Sequence, residues 1–262
     1  MRNWGGVRHL GTDLLVTREK LRDNNFWATY SSAQEVVCDK FQPSGLDYII
    51  HVLGDEQRAK YLQEFKTENF EYVATINPKF TDWEFWIERA NWFFYRKLYE
   101  NWHPEFANNY EVFWSRNASG ESYVFGSDTN DGAIKTQIME IDENTKKIVI
   151  TCPSNVNGIA DVFVDYEVHQ TSQFILNFRQ LLFIKNTGYK CAKNPDYHER
   201  NYLRAISKEF IPIVVHNGYG EVTLTSKPEE CTSLELKECY CNRIYTNTAH
   251  FGIVEELYLS GL

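Results

Sequence analysis

Apolar and polar positions fall into two regimes along the chain. In the first regime, short apolar runs alternate with segments of helical spacing. "DYIIHVLG" (47–54) is a β-branched run closed by Gly54, the pattern of a buried strand. "DEQRAKYLQEFKTENF" (55–70) follows with Ala59, Leu62 and Phe65 on one helical face. Its first turn carries Asp55 and Glu56, where the helix dipole favours acids. "FEYVATI" (70–76) and "YEVFWSR" (110–116) read as two more strands. Between them stands "DWEFWIERANWFFYRKLYENWHPEF" (82–106), predicted to be one helix. Thr81 is placed as its N-cap with Glu84 three residues on, a capping box, and Pro104 ends it. The module is β-α-β-α-β, for which parallel pairing with right-handed crossovers is expected.

The second regime has period two. "GAIKTQIMEID", "KKIVITC", "GIADVFVDYEVHQ", "RQLLFIKN", "FIPIVVHNG", "GEVTLTS" and "TSLELKECYCNRIY" are strand-like, separated by turn signals such as "NDG", "NTG" and "HNGYG". In the third of these, Val162, Val164, Tyr166 and Val168 alternate with Asp161, Asp165, Glu167 and His169, the pattern of a half-buried antiparallel strand. "NPDYHERNYLRAISKEF" interrupts them and is predicted helical, with Asn194 as cap and Pro195 at the first helical position. All seven tryptophans lie at or before Trp114, which places a boundary near 115–122. The fold class is therefore α+β. An α/β module over 1–116 precedes an antiparallel β-sandwich over 117–262.

The aromatic segment has a feature that ordinary surface helices lack. At ~100° per residue, Trp83, Trp86, Ile87, Ala90, Phe93, Phe94 and Leu98 form one stripe. Phe85, Trp92, Tyr95, Tyr99 and Trp102 form a second on the opposite side. Two stripes require burial on two sides. The first is expected to pack on the sheet. The second meets the β-rich domain, a partner surface, or a glycan stacked on Trp92, Tyr95, Tyr99 and Trp102.

Composition narrows the setting. The formal net charge is −9 and hydrophobic residues make up 43%. The first argues against a nucleic-acid partner and the second against disorder. The chain has no apolar run long enough to span a membrane, and "MRNWGGVRHLGTDLL" lacks a signal-peptide core, so by itself the chain is expected to be soluble. Six cysteines occur without a C-x-x-C pair, against a zinc ribbon or thioredoxin-like site. Cys239 and Cys241 share one face of a strand. A disulfide from Cys231 to either, and free thiols, both fit.

His51, Asp55 and Glu56 follow the first expected strand; Thr75 and Asn77 end the second. Ligands of open α/β sheets bind outside such carboxyl ends, so these side chains are candidate ligand contacts. The alternative is a helix start with ordinary capping polarity. A dinucleotide fingerprint needs three glycines where "VLGDEQ" has one, and no cofactor is expected. The histidines are scattered without H-x-x-x-H spacing, and no metal site is expected from them. Asp128, Asp131, Asp142 and Glu143 around "SDTNDG" offer oxygens for calcium, but the turn is the favoured reading. No G-x-S-x-G elbow occurs, and no residue is assigned as catalytic. "NAS" at Asn117 is a glycosylation sequon.

The order "FWATYSSAQE", "FQPSGLDYIIHVLG", helix, "EYVATI", aromatic helix and "YEVFWSR" resembles the extracytoplasmic region that follows the last transmembrane helix of bacterial GT-C-type membrane glycosyltransferases and related polytopic proteins. The resemblance covers residues 20–116 and includes the acidic pair Asp55–Glu56 and the aromatic-basic end Trp114–Arg116. It implies a tail fragment that is non-catalytic, because the catalytic acid of that class lies between transmembrane helices. The implied partners are the missing transmembrane portion of the same protein and, through acceptor binding, a glycan. It also implies tethering at the outer side of the cell membrane. A free-standing carbohydrate-binding or adhesion module is the second expectation. A soluble enzyme acting on sugars through paired carboxylates is the third.

Overall fold

A computed structural model of the chain describes residues 5–80, 84–126, 134–152, 155–170, 206–226 and 232–248. The chain divides into two compact units, Met1–Tyr123 with Asn247–Leu262, and Val124–Thr246. The class is α+β: a mixed sheet with helices, then an antiparallel sheet.

The first unit opens with helix α1 (Gly5–Leu21), which the apolar periodicity did not announce. Its buried positions from residue 11 onward are Asp13, Thr17 and Leu21, while Leu15 is exposed. Strand β1 (Phe26–Ala28) and helix α2 (Ser32–Cys38) follow. Helix α3 (Gly54–Thr67) leads to β2 (Tyr72–Ile76). Helices α4 (Glu84–Ala90) and α5 (Trp92–Asn101) lead into the hairpin of β3 (Trp102–Ala107) and β4 (Glu111–Arg116). The sheet order is β1-β2-β4-β3. Only β1 and β2 are parallel; β4 runs antiparallel to both neighbours.

Three expectations are corrected here. The run 47–54 is no strand: Ile49–His51 form a single 3-10 turn. Ile49 donates to the Thr29 carbonyl at 2.8 Å, and Ile49 and Val52 are both buried at a spacing of three. A short apolar run carries no period that separates strand from turn. The all-buried "FWA" takes the place beside β2 instead.

The aromatic segment is two helices. Asn91 breaks it, donating both its backbone N–H and its Nδ2 to the Ile87 carbonyl, each at 3.0 Å. The side chain thus competes for a helical acceptor, as Asn does. Trp102 turns extended, with φ −135° and ψ 155°, so Pro104 stands inside β3 rather than beyond a helix. β3 is an edge strand, where a missing N–H is tolerated. Thr81 and Trp83 lie outside the described residues.

The sheet is covered on both faces. Leu21, Phe26, Ala28, Cys38, Ala74, Phe106 and Phe113 form one core cluster on the side of α1 and α2. On the other side Trp27 meets Tyr61 and Phe65 of α3 at 5.0 and 5.4 Å, and its Nε1 donates to the Tyr61 hydroxyl at 2.9 Å. α3 therefore buries Tyr61 and Phe65, with Ala59 outside. Trp102 stacks on Phe70 at 5.4 Å, and the Arg116 guanidinium covers Trp102 at 4.5 Å. Tyr99 meets Trp114 at 5.4 Å and Trp92 at 5.9 Å. Asn247, on the chain's return from the second unit, donates from Nδ2 to the carbonyls of Tyr99 and Trp102.

The second unit contains β5 (Val124–Phe125), β6 (Lys135–Glu140), β7 (Thr145–Thr151), β8 (Gly158–Gln170), β9 (Ile206–His216), β10 (Tyr219–Thr225) and β11 (Thr232–Tyr245). They form one sheet, ordered β5-β11-β8-β9-β10-β7-β6 and antiparallel throughout, where a two-sheet sandwich was expected. The sheet curls into a half-barrel. The Cys241 N–H reaches Thr136 Oγ1 at 3.0 Å, tying β11 to edge strand β6. Register shifts at Leu236/Glu238 and Cys241/Arg243 bend β11. A long twisted sheet thereby covers its own apolar face, and a second sheet is not required. Val162, Val164, Tyr166 and Val168 face inward as their alternation predicts. Asn217 and Gly218, at φ 51° and 79°, make the two-residue hairpin turn between β9 and β10.

Of the remaining expectations, "RQLLFIKN", Cys191, Cys231, "SDTNDG" and the helix start at Asn194 lie outside the described residues. The end of that expected helix, Ile206–Phe210, is strand β9. Asp142 organises a turn, accepting the Asn144 N–H at 2.7 Å.

Gly158 opens β8 where an added Cβ would lie 2.2 Å from the Tyr245 carbonyl oxygen. Gly158→Ala is expected to destabilise the second unit by about 1–3 kcal/mol, the usual cost of overpacking. Urea unfolding followed by near-ultraviolet circular dichroism would measure it. An unchanged midpoint would mean that β8 and β11 do not approach so closely.

Candidate functional site

The candidate ligand contacts read from the sequence occupy three kinds of place. His51 is exposed and its Nδ1 lies 3.0 Å from Asp47 Oδ1. Asp55 and Glu56 are exposed in the first turn of α3, the position of dipole-complementing acids. Asn77 is buried: Nδ2 donates to the Asn108 carbonyl at 2.7 Å and Oδ1 accepts the Lys79 N–H at 2.9 Å. Trp92, Tyr95, Tyr99 and Trp102 are 1–3% exposed. They offer no ring face to a sugar and belong to the core of the first unit. The rings that cover Trp92, Tyr99 and Trp102 come from that unit itself. The Tyr99 hydroxyl also donates to the buried Glu88 at 2.6 Å.

The first unit holds a buried polar cluster at the carboxyl end of β2, where Ile76 pairs with Glu111. Glu111 has no exposed surface, and Asp13 has 4%. Thr17 Oγ1 donates to Glu111 Oε2 at 2.9 Å, and Asn108 Nδ2 donates to Thr17 Oγ1 at 3.0 Å. Asn109 Nδ2 donates to Asp13 Oδ1 at 3.3 Å. Asn108 Oδ1 accepts the backbone N–H groups of Tyr110 and Glu111 at 2.9 and 2.7 Å, which shapes the β3–β4 turn. Burial pushes the Glu111 carboxyl up to about 8; the Thr17 hydrogen bond opposes this and the Asp13 charge adds to it. Of the sequence candidates, Asn77 alone reaches this cluster, through the Asn108 carbonyl. Nothing in residue spacing marked Asp13 or Glu111, because α1 was not legible and 95 residues separate Asn108 from Asp13. Sealed at this depth, the two carboxyl groups do not face a polymeric substrate.

The second unit carries an aromatic ladder on its convex face. Phe163 of β8 pairs in register with Phe210 of β9 and with Tyr240 of β11. Ring centroids are 5.3 Å apart for Phe163–Phe210 and 5.1 Å for Phe163–Tyr240, the latter stacked. Tyr240 is 43% exposed. Strand alternation sets Asp165 and Glu167 on the same face. Asp165 pairs with Lys208 at 2.8 Å, and Glu238 stands opposite Asp165. Further along, His169 Nε2 lies 2.9 Å from Glu235 and 3.5 Å from Glu167, and Lys237 pairs with Glu167. The face therefore presents a ring row flanked by rows of hydrogen-bonding charge. Alternation made these positions readable, but the ladder needs the register of three strands, two of them far apart in sequence.

The described cysteines of the second unit take the apolar side. Cys152, Cys239 and Cys241 pack against the core of the curled sheet, and burial pushes the thiols of Cys239 and Cys241 up to about 12. Both are free thiols of low reactivity, as is buried Cys38. Asn117 of the sequon lies within 3.1 Å of His103.

Thr17→Val would keep the shape of α1 while stripping Glu111 of a donor and Asn108 of an acceptor. A loss of about 1–3 kcal/mol is expected, the cost of buried groups left unpaired, with secondary structure unchanged. Denaturant titration of the full chain checks this; a loss below about 0.5 kcal/mol would place Glu111 in contact with water. Among the described residues no helix is long and apolar enough to cross a membrane. No protein-family model, curated protein or solved structure matches the chain.

Proposed function

We propose that the chain is a non-catalytic glycan-binding region whose contact surface is the convex face of the second unit. The observation that carries this reading is the Phe163–Phe210–Tyr240 ladder. Sugars present apolar C–H faces and hydroxyl edges. An aromatic ring held in place matches the first, and carboxylate and ammonium groups beside it match the second. Phe163, pressed between Phe210 and Tyr240, holds the exposed ring in a defined position, so little ordering is lost on binding. Lys208 and Glu238, exposed beside the buried Asp165, then supply a donor and an acceptor.

This keeps the role that the resemblance to GT-C-type tails implies, acceptor binding beside a membrane-embedded transferase. It moves the sugar contact from the aromatic helices to the sheet. In that setting the partner is the transmembrane portion of the same protein and the location is extracytoplasmic. A free-standing carbohydrate-binding module would use the same face, and the parent reading frame separates the two. Upstream membrane helices favour the first; their absence favours the second.

Glycan-array screening of the full chain, followed by calorimetry on the strongest binder, tests the reading. Tyr240→Ala is expected to weaken binding at least about tenfold, equivalent to about 1.4 kcal/mol, with the fold unchanged by circular dichroism. A chain that captures no glycan, or a Tyr240→Ala variant that binds as well as the parent, would overturn it.

A further inference from the structure

The His169 corner of the second unit's convex face gathers three ligand-type atoms from two strands. Strand alternation sets Glu167 and His169 on one face of β8, and register sets Glu235 of β11 directly opposite Glu167. Like charges directly opposite each other destabilise a sheet unless a positive group stands between them. Here both carboxylates turn Oε2 towards one imidazole nitrogen. His169 Nε2 lies 2.9 Å from Glu235 Oε2 and 3.5 Å from Glu167 Oε2. One ligand atom from each of the three residues lies within 4.8 Å of the other two. Lys237 pairs with the other oxygen of Glu167, Oε1, and so orients that carboxylate without covering Oε2.

The spacing suits a metal ion. Zinc binds imidazole nitrogen and carboxylate oxygen at about 2.0–2.2 Å, so neighbouring ligand atoms of a tetrahedral site stand roughly 3.3–3.6 Å apart. The separations of 2.9 and 3.5 Å differ from this by a few tenths of an ångström at most, and the third pair, at no more than 4.8 Å, closes by rotation of the exposed Glu235 side chain. An imidazole in the set favours a first-row transition ion over calcium or magnesium, whose ligands are oxygens. His169 and Glu235 are exposed, which leaves a fourth position open to water. Lys237 takes the place of the outer group that commonly orients a ligating carboxylate.

We propose that Glu167, His169 and Glu235 bind one zinc-class divalent ion, which clasps β8 to β11 and keeps one coordination position open to solvent. Residue spacing did not disclose the site, because Glu235 is 66 positions from His169 and the two meet only through strand register. The site does not rest on the glycan reading, and Tyr240 takes no part in it.

The test uses the full chain, stripped with chelator and kept reduced with a phosphine. Zinc chloride is titrated by calorimetry, native mass spectrometry counts bound ions, and cobalt(II) chloride serves as a spectroscopic probe. One zinc per chain is expected, with cobalt giving visible bands of nitrogen and oxygen coordination. His169→Ala is expected to weaken zinc binding at least ~100-fold, the loss that removal of an outer partner alone can cause, and Glu235→Gln to weaken it in the same direction. Both side chains are exposed, so circular dichroism is expected to be unchanged. His51→Ala, in the exposed Asp47–His51 pair of the first unit, is expected to bind zinc as the parent does. A parent chain that binds no zinc, or binding that survives His169→Ala or is lost in His51→Ala, would overturn the proposal. A near-ultraviolet thiolate-to-cobalt band would also overturn it, by placing the ion on cysteines; the Cys239 and Cys241 thiols, pushed up to about 12 by burial, are not expected to give one.

Discussion

The first unit depends on one strand whose two faces must be buried at once. In β4, Glu111, Val112, Phe113 and Trp114 have essentially no exposed surface. Glu111 and Phe113 face α1 and α2, while Trp114 faces α5, donating its Nε1–H to Thr75 at 2.9 Å. A strand flanked by β2 and β3 and covered above and below satisfies its backbone laterally and its side chains vertically. The aromatic wealth of the segment 84–102 follows from this. A sheet only four strands wide has little area, so large rings are needed to fill both layers to native density.

The same constraint explains why α1 presents polar groups to the core. Helix periodicity favours an apolar buried stripe, yet α1 turns Asp13 and Thr17 inward and leaves Leu15 in solvent. Thr17 is matched to Glu111 and Asn108, and Asn109 to Asp13, so the helix is oriented by hydrogen bonds across the layer rather than by area. Such a network specifies one register where apolar packing alone would tolerate several. It also seals a carboxyl group away from water, and this burial, with a smaller contribution from the Asp13 charge, gives Glu111 its raised protonation range.

What the sequence disclosed follows from which signals are local. The β-rich half was legible because period-two alternation is written within each strand: 158–170 is β8 as expected, and 146–151 and 220–225 fall within β7 and β10. The wrapping of those strands into one curled sheet was not legible, because curl comes from bulges in β11 and from the Thr136–Cys241 contact across the sheet. In the first half, the burial of Ile87, Phe94 and Leu98 on one stripe and of Trp92, Tyr95, Tyr99 and Trp102 on the other was written in the spacing, while Ala90 of the first stripe is exposed. The break at Asn91 and the strand conformation of Trp102 were not, since both depend on side-chain competition and on pairing with β4. Asp13 and Glu111 were invisible for a related reason. Each is an ordinary acid in its own segment and becomes distinctive only when folding brings the two together.

Charge separates the ligand classes that the convex face could accept. The ring row alone would stack on any planar apolar surface, including a nucleobase. The net charge of −9 and the carboxylates of Asp165, Glu167, Glu235 and Glu238 on that face oppose a phosphate backbone, which needs a basic track beside the rings. Lys208 and Lys237 do not supply one, because each is engaged with a carboxylate on the same face, Asp165 and Glu167. The same repulsion acts on uronic and other acidic sugars. On the proposed reading a neutral or amino sugar meets no such penalty: its hydroxyl or ammonium groups would donate to the exposed carboxylates while its C–H face met Tyr240. On the proposed reading, then, ring geometry sets the affinity of this face for saccharides, and the flanking acids set which saccharides it rejects.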